Sequence, residues 1–249
     1  MRIVIIGAVA AGTSAAAKAR RNSEDAEIVI YEKDSYISYS GCGMPYYLGG
    51  EMERAEELTP RDPAFFKSKY RVDIFNQHEV IRINPNEKSI EVRNLTSDEV
   101  LIDHYDKLVI ATGARAVIPP IVGVEGDNVF TLRSIKDMIR IKNYITQKQP
   151  KTVAIIGTGF IGLEVCENLK AIGLEVNLIE RLPHVTPGLD HDMASYVKEE
   201  LEKNGVTVHV GVLTTEIKGD RIFLSNGKQV DANMIIVSAG VMPNVELAK

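Results

Sequence analysis

One supersecondary unit occurs twice in this chain. Residues 3–6, Ile-Val-Ile-Ile, form a β-branched run that stops at Gly7 and predicts a strand buried on both faces. Residues 13–21 are alanine-rich and close on Lys18, Arg20 and Arg21, which predicts a helix with cations at its C-terminal end. Residues 27–31 predict a second strand, and Glu32 follows it. Strand, glycine turn, helix, strand and acid make a βαβ unit. The order returns with a strand over 152–156, the turn Gly157-Thr-Gly159-Phe-Ile-Gly162 and a helix over 163–172 that Gly173 ends. A strand over 176–179 and Glu180 complete the second copy, and Gly7 to Glu32 spans nearly the same stretch as Gly157 to Glu180.

The residue types in these turns point to a dinucleotide. Gly157 allows a tight turn, Gly159 lets the backbone approach a pyrophosphate, and Gly162 lets helix and strand pack closely, with the helix N-terminus facing the phosphates. Ile161 lies in the same turn. Glu180 stands where a carboxylate accepts the ribose 2′-hydroxyl and repels a 2′-phosphate. That charge favours NADH over NADPH, although Arg181 beside it softens the preference. The first turn reads Gly7-Ala8-Val9-Ala10-Ala11-Gly12, with Val9 in the middle glycine's place and Glu32 as its acid. A single such motif is weak, but two with strand, helix and acid in place are strong. The bland alternative is a pair of tight turns without ligand. The predicted fold class is α/β, with two Rossmann-like dinucleotide-binding domains.

Composition narrows the function classes. The 249 residues are 45% hydrophobic and carry a net charge of −5, which argues against nucleic acid, whose partners usually present a basic face. The apolar N-terminal run is too short to span a membrane, and Gly7 and Gly12 interrupt it, so it reads as structure and not as an address. Two cysteines, Cys42 and Cys166, make no disulfide framework, and a reducing cytoplasm is expected. Between the two units lie an irregular segment over 35–60, a helix over 63–70 and strands over 78–83, 89–93 and 106–111. Residues 117–120 resemble a domain boundary, and helices are predicted over 134–147 and 190–204, with short strands over 206–237. The five histidines are scattered without metal spacing, so no metal is expected.

Two further segments carry a family resemblance. Ala111-Thr112-Gly113-Ala114 resembles the segment linking the FAD and NADH domains of the flavin-dependent pyridine nucleotide-disulfide oxidoreductases. Val237-Ser-Ala-Gly240-Val-Met-Pro243-Asn244 resembles the segment at the exit of their NADH domain. With the two glycine turns, the resemblance covers nearly the whole chain. It implies an N-terminal part of an FAD domain over 1–117, an NADH domain over 118–243 and a return towards the FAD domain over 244–249. The first domain would be incomplete, because family members continue into a third FAD motif and a dimerisation domain. A fragment of a longer homodimeric enzyme, with weak flavin binding and little turnover, is therefore expected.

The cysteine selects a branch. The segment Ser38-Tyr-Ser-Gly-Cys42-Gly-Met-Pro-Tyr-Tyr is similar to the single-cysteine branch of coenzyme A-disulfide reductases, NADH oxidases and peroxidases, and persulfide reductases. Pro45 suits the first turn of a helix, and a thiol at a helix N-terminus is stabilised as thiolate. Cys42 is thus the expected redox centre, whereas Cys166 is read as a small buried hydrophobe. The resemblance places Ser14, Lys18, Arg21 and Ser38 along a coenzyme A channel. Lys18 and Arg21 share a helix face, which suits either phosphates or the helix C-terminus, and both readings stay open. Gly41 departs from the asparagine of some members. For the cofactors, the resemblance implies FAD contacts at Gly7, Val9, Ala11, Gly12, Glu32, Lys33, Val80, Thr112, Gly113 and Arg133, and a cofactor contact at Gly240 in the segment at the NADH domain's exit. Phe160 resembles an aromatic gate over the flavin and Glu164 a carboxylate near the nicotinamide.

The implied activity passes electrons from NADH through FAD to Cys42 and on to coenzyme A disulfide or a related persulfide. A Cys42 sulfenic acid in an oxidase or peroxidase is the alternative within the branch. A non-catalytic dinucleotide-binding module and a reductase of ferredoxin-like proteins, which needs no cysteine, are the alternatives outside it.

Overall fold

The computed structural model describes residues 1–249. The chain opens with β1 (Arg2–Ile6), α1 (Ala10–Asn22), β2 (Glu27–Glu32), α2 (Met44–Gly49) and α3 (Pro63–Tyr70). Then come β3 (Val72–Asn76), β4 (His78–Asn84), β5 (Ser89–Asn94), β6 (Val100–His104), β7 (Lys107–Ile110) and β8 (Ala114–Ala116). After β9 (Val129–Thr131) follow α4 (Ile135–Lys148), β10 (Thr152–Ile156), α5 (Phe160–Ala171), β11 (Glu175–Ile179), α6 (His191–Lys203) and β12 (Thr207–His209). The last elements are β13 (Thr214–Lys218), β14 (Arg221–Leu224), β15 (Gln229–Asp231), β16 (Met234–Val237) and β17 (Val241–Pro243). Contacts divide the chain into two compact units, one of Met1–Ser40, Glu56–Arg115 and Pro243–Lys249, the other of Gly41–Ala55 and Ala116–Met242.

In the first unit β3, β2, β1 and β7 form a parallel sheet in that order. Alternation along the strands sends Ile3, Ile5, Ile28 and Ile30 into a cluster with Ala16 of α1 and Phe66 of α3. Val4, Ile6, Val29 and Tyr31 point the other way, onto Val80, Ile90 and Val92 of the antiparallel β4-β5-β6 sheet. Both faces are covered, which is why the strand sequences are continuously apolar.

The second unit repeats the plan. Its parallel sheet runs β12-β11-β10-β16-β9, and the antiparallel β13-β14-β15 sheet covers one face. Ala154, Ile156, Ile179, Ile235 and Val237 cluster there with Ile217, Ile222, Leu224 and Val230.

The helices after the glycine turns start earlier than expected, at Ala10 and Phe160, because each turn is complete by its third residue. The irregular segment over 35–60 contains α2, with Pro45 in its first turn, between short 3-10 turns at Gly41–Gly43 and Ala55–Leu58. Asn244 ties to the first unit: its N–H donates to the Gly113 carbonyl (2.9 Å), and its Nδ2 to the Thr112 carbonyl (2.9 Å).

The turn glycines are held by backbone. Gly157 has φ +107, and a Cβ there would sit 2.4 Å from the Ser238 carbonyl oxygen; Gly7 has φ +106 and the Ala111 carbonyl oxygen at 2.3 Å. A Gly157→Ala variant combines a left-handed backbone with a clash against rigid main chain. Urea denaturation should show it destabilised by about 2–4 kcal/mol.

Candidate functional site

Each glycine turn is braced by the acid at the end of the following strand. Glu32, buried, accepts the Ala8 N–H on Oε2 (2.8 Å) and the Asp34 N–H on Oε1 (2.8 Å). Glu180, also buried, accepts the Thr158 N–H (3.0 Å) and the Thr158 hydroxyl (2.9 Å) on Oε2, and the Leu182 N–H (3.0 Å) on Oε1. A carboxylate offers about four lone-pair positions, so Glu32 keeps acceptor capacity for two more donors and Glu180 for one.

The duplication reaches further into the loops than the sequence motifs suggest. The Ser38 N–H donates to the Ala8 carbonyl (2.8 Å), and the Thr186 N–H to the Thr158 carbonyl (3.2 Å). Both Ser38 and Thr186 have φ +47. The second residue of each turn is therefore held through its N–H by the acid and through its carbonyl by a left-handed residue six positions after that acid.

The turns differ at their middle residue. Gly159 caps α5, and a Cβ built there would meet nothing within 4 Å. Packing therefore does not require glycine at this position; its absent side chain leaves approach to the α5 N-terminus open. In the first unit Val9 occupies the N-cap with a side chain that the backbone accommodates. Gly12 and Gly162 do meet main chain, at the carbonyls of Gly7 and Gly157, which lets each helix approach its strand. The first-turn N–H groups of α5, the open side at Gly159 and the spare capacity of Glu180 fit a pyrophosphate and a ribose hydroxyl.

The remaining residues fall into distinct settings. Ser14, Lys18 and Arg21 lie exposed on one face of α1, while neighbouring Arg20 holds the carbonyls of Tyr70 (2.8 Å) and Arg71 (3.0 Å). Lys33 and Ala11 are exposed, and Val80 is buried in the core. Thr112 donates its hydroxyl to the Asn244 carbonyl (2.6 Å), answering the bonds from Asn244. Asn244 was visible in its motif but carried no assigned role. In the second unit Gly240, with φ +112, accepts the Val117 N–H (2.9 Å). Arg133 directly precedes Ser134, which caps α4 through a capping box with Asp137. Phe160 is 75% exposed, which removes core packing as the reason for an aromatic there; Ile161 is exposed and Glu164 half-buried.

The two cysteines differ sharply. Cys42 is exposed in the turn ahead of α2. Cys166 is fully buried on α5, and burial pushes its thiol up to about 12. Lys142 of α4 and Asn168 of α5, which the sequence did not single out, both meet α2. Lys142 Nζ donates to the carbonyls of Tyr47 and Leu48, and the Asn168 side chain lies against Gly49.

The sequence matches the family described as pyridine nucleotide-disulphide oxidoreductase over residues 1–249. The chain belongs to the pyridine nucleotide-disulphide oxidoreductase family. It is 38% identical to an NADH oxidase of Methanocaldococcus jannaschii, covering 100% of this chain and 56% of that protein. It is 35% identical to a coenzyme A disulfide reductase of Staphylococcus haemolyticus, over 98% of this chain and 54% of that protein. A solved NAD-dependent persulfide reductase from A. fulgidus superposes with a TM-score of 0.95 at 36% identity, covering 100% of this chain and 47% of that one. The chain thus spans about half the length of the curated relatives it matches. No helix in it is long and apolar enough to cross a membrane.

Two substitutions separate bracing from binding in this family member. Gly159→Val, which copies the first turn's residue, should leave the urea midpoint nearly unchanged. It should weaken NADH binding, measured by titration calorimetry, about tenfold or more through steric exclusion of the phosphates. Glu180→Gln puts an amide where a carboxylate accepts three donors. It should cost about 1–3 kcal/mol of stability in the same denaturation assay, because a buried N–H loses its partner.

Proposed function

We propose that this chain serves a flavoprotein oxidoreductase that carries electrons from NADH through FAD to Cys42 and on to coenzyme A disulfide or a related persulfide. The observation that carries the reading is the contrast between its thiols: Cys42 is exposed in a glycine-flanked turn, and Cys166 is sealed in a helix. FAD would be held by the first turn, Glu32 and the Thr112–Gly113 segment, and NADH by the second turn and Glu180. The two turns support this division because Val9 and Gly159 give them different shapes at the ligand side. The chemistry that FAD supplies when bound is two-electron exchange, accepting hydride from NADH and reducing a disulfide sulfur.

The protein's own steps concern Cys42. Its thiolate attacks one sulfur of coenzyme A disulfide, the S–S bond breaks, and one coenzyme A thiolate leaves as a mixed disulfide forms. Two electrons and a proton then release the second coenzyme A thiol and restore the thiolate. The exposed face of Ser14, Lys18 and Arg21 suits the phosphates of that substrate. Homodimerisation and a cytoplasmic location, the latter supported by two unpaired cysteines, complete the proposal.

A second reading is favoured by the similarity to an NADH oxidase. There the Cys42 thiolate would attack one oxygen of hydrogen peroxide, the O–O bond breaking to leave a sulfenic acid and a hydroxide that takes a proton from solvent. Mass spectrometry of Cys42 separates the two, by a coenzyme A adduct or a single added oxygen. Cys42→Ser should abolish NADH-driven reduction of coenzyme A disulfide in the FAD-loaded protein; retained turnover would sink the disulfide mechanism.

A further inference from the structure

Cys42 sits at the end of a short segment that the second unit holds from two sides. Gly41–Ala55 groups with the second unit, and the 3-10 turn at Gly41–Gly43 runs directly into α2. Met44, Pro45 and Leu48 are buried, so α2 is anchored by its apolar face. On one side, a Cβ at Gly49 would lie 2.3 Å from Asn168 Oδ1, so only glycine permits this approach to α5. Asn168 is itself 4% exposed, and its Nδ2 donates to the Glu164 carbonyl (2.8 Å), which holds its amide in place.

On the other side stands Lys142 of α4. Its Nζ donates to the carbonyls of Tyr47 (3.2 Å) and Leu48 (3.2 Å), and lies 5.5 Å from the centroid of the Tyr47 ring. A helix leaves its last carbonyls without intrahelical partners, and a cation at that end is favourable. Ordering a lysine costs side-chain entropy, which a single charge-assisted hydrogen bond roughly offsets. Two such bonds and a ring contact outweigh that cost, so Lys142 is a clamp and not an idle surface cation.

We propose that Lys142, acting with the close fit of Gly49 on Asn168, is a positioning residue that seats α2 and thereby aims Cys42. This rests on the reading of Cys42 as the redox thiol. It implies that α4 and α5 set the thiol's orientation without touching it.

The test uses the chain itself and needs no turnover. Lys142→Met should speed hydrogen exchange at the Leu48 to Glu51 amides about tenfold while leaving the parallel sheet protected. The same variant should change the rate of Cys42 alkylation by iodoacetamide about threefold or more, because the thiol's surroundings shift with the turn. Lys142→Arg, which keeps a charged donor, should restore both values. Gly49→Ala should reproduce the Lys142→Met signature from the opposite side. Unchanged exchange overturns the seating role, and faster exchange with unchanged alkylation reduces Lys142 to a structural residue. Labelling of buried Cys166 would reveal general unfolding and overturn the specific role as well. A Cys42→Ser protein that still reduces disulfide would instead refute the assignment of the thiol and leave the exchange result standing.

Discussion

The carboxylate at the end of the second strand is the interaction on which each half of this protein depends. A tight glycine turn leaves main-chain donors pointing at each other's neighbours, and a buried donor without a partner costs about 1–3 kcal/mol. Glu32 and Glu180 answer the turn and the following loop at once, from one side chain. The brace fixes the turn relative to the strand, and that placement fixes where the next helix begins. Binding capacity is what remains after the brace is satisfied. The acid has therefore a structural duty first, which is why it follows the turn at nearly the same spacing in both copies.

The left-handed residues extend the same logic. Ser38 and Thr186 occupy a conformation that non-glycine residues rarely adopt, and for a β-branched residue such as Thr186 it is a strained one. Each gains a backbone bond to the second residue of its turn. In the first unit the loop so pinned leads, four residues on, to Cys42.

What could be read in the sequence follows from how local each cause is. Glycine spacing, β-branched runs and a trailing acid are patterns of nearest neighbours, so both βαβ units and their turns were legible from residues 3–32 and 152–180. The early starts of α1 and α5 were not, because the turn's compactness depends on contacts with Ala111 and Ser238, far along the chain. The segment over 35–60 looked irregular because six residues of helix leave little periodicity, and what holds α2 is tertiary: Lys142 and Asn168 lie about a hundred residues away. In sequence Lys142 is one cation on an amphipathic helix and Asn168 one polar residue on another. Nothing about either residue type marks a clamp.

Duplication with divergence lets one frame present two turns of different shape. The braces, the close-packed glycines Gly12 and Gly162 and the left-handed pins are common to both copies, so they maintain the fold. The differences sit where the frame leaves freedom: Val9 against Gly159, Ala8 against Thr158, Lys33 against Arg181. Thr158 adds a hydroxyl donor to its acid that Ala8 cannot supply, using one more lone-pair position of Glu180. Glu180 is left able to accept a single further hydroxyl where Glu32 can accept two. The hydroxyl that Thr158 carries and Ala8 lacks thereby changes how many further donors each acid can accept.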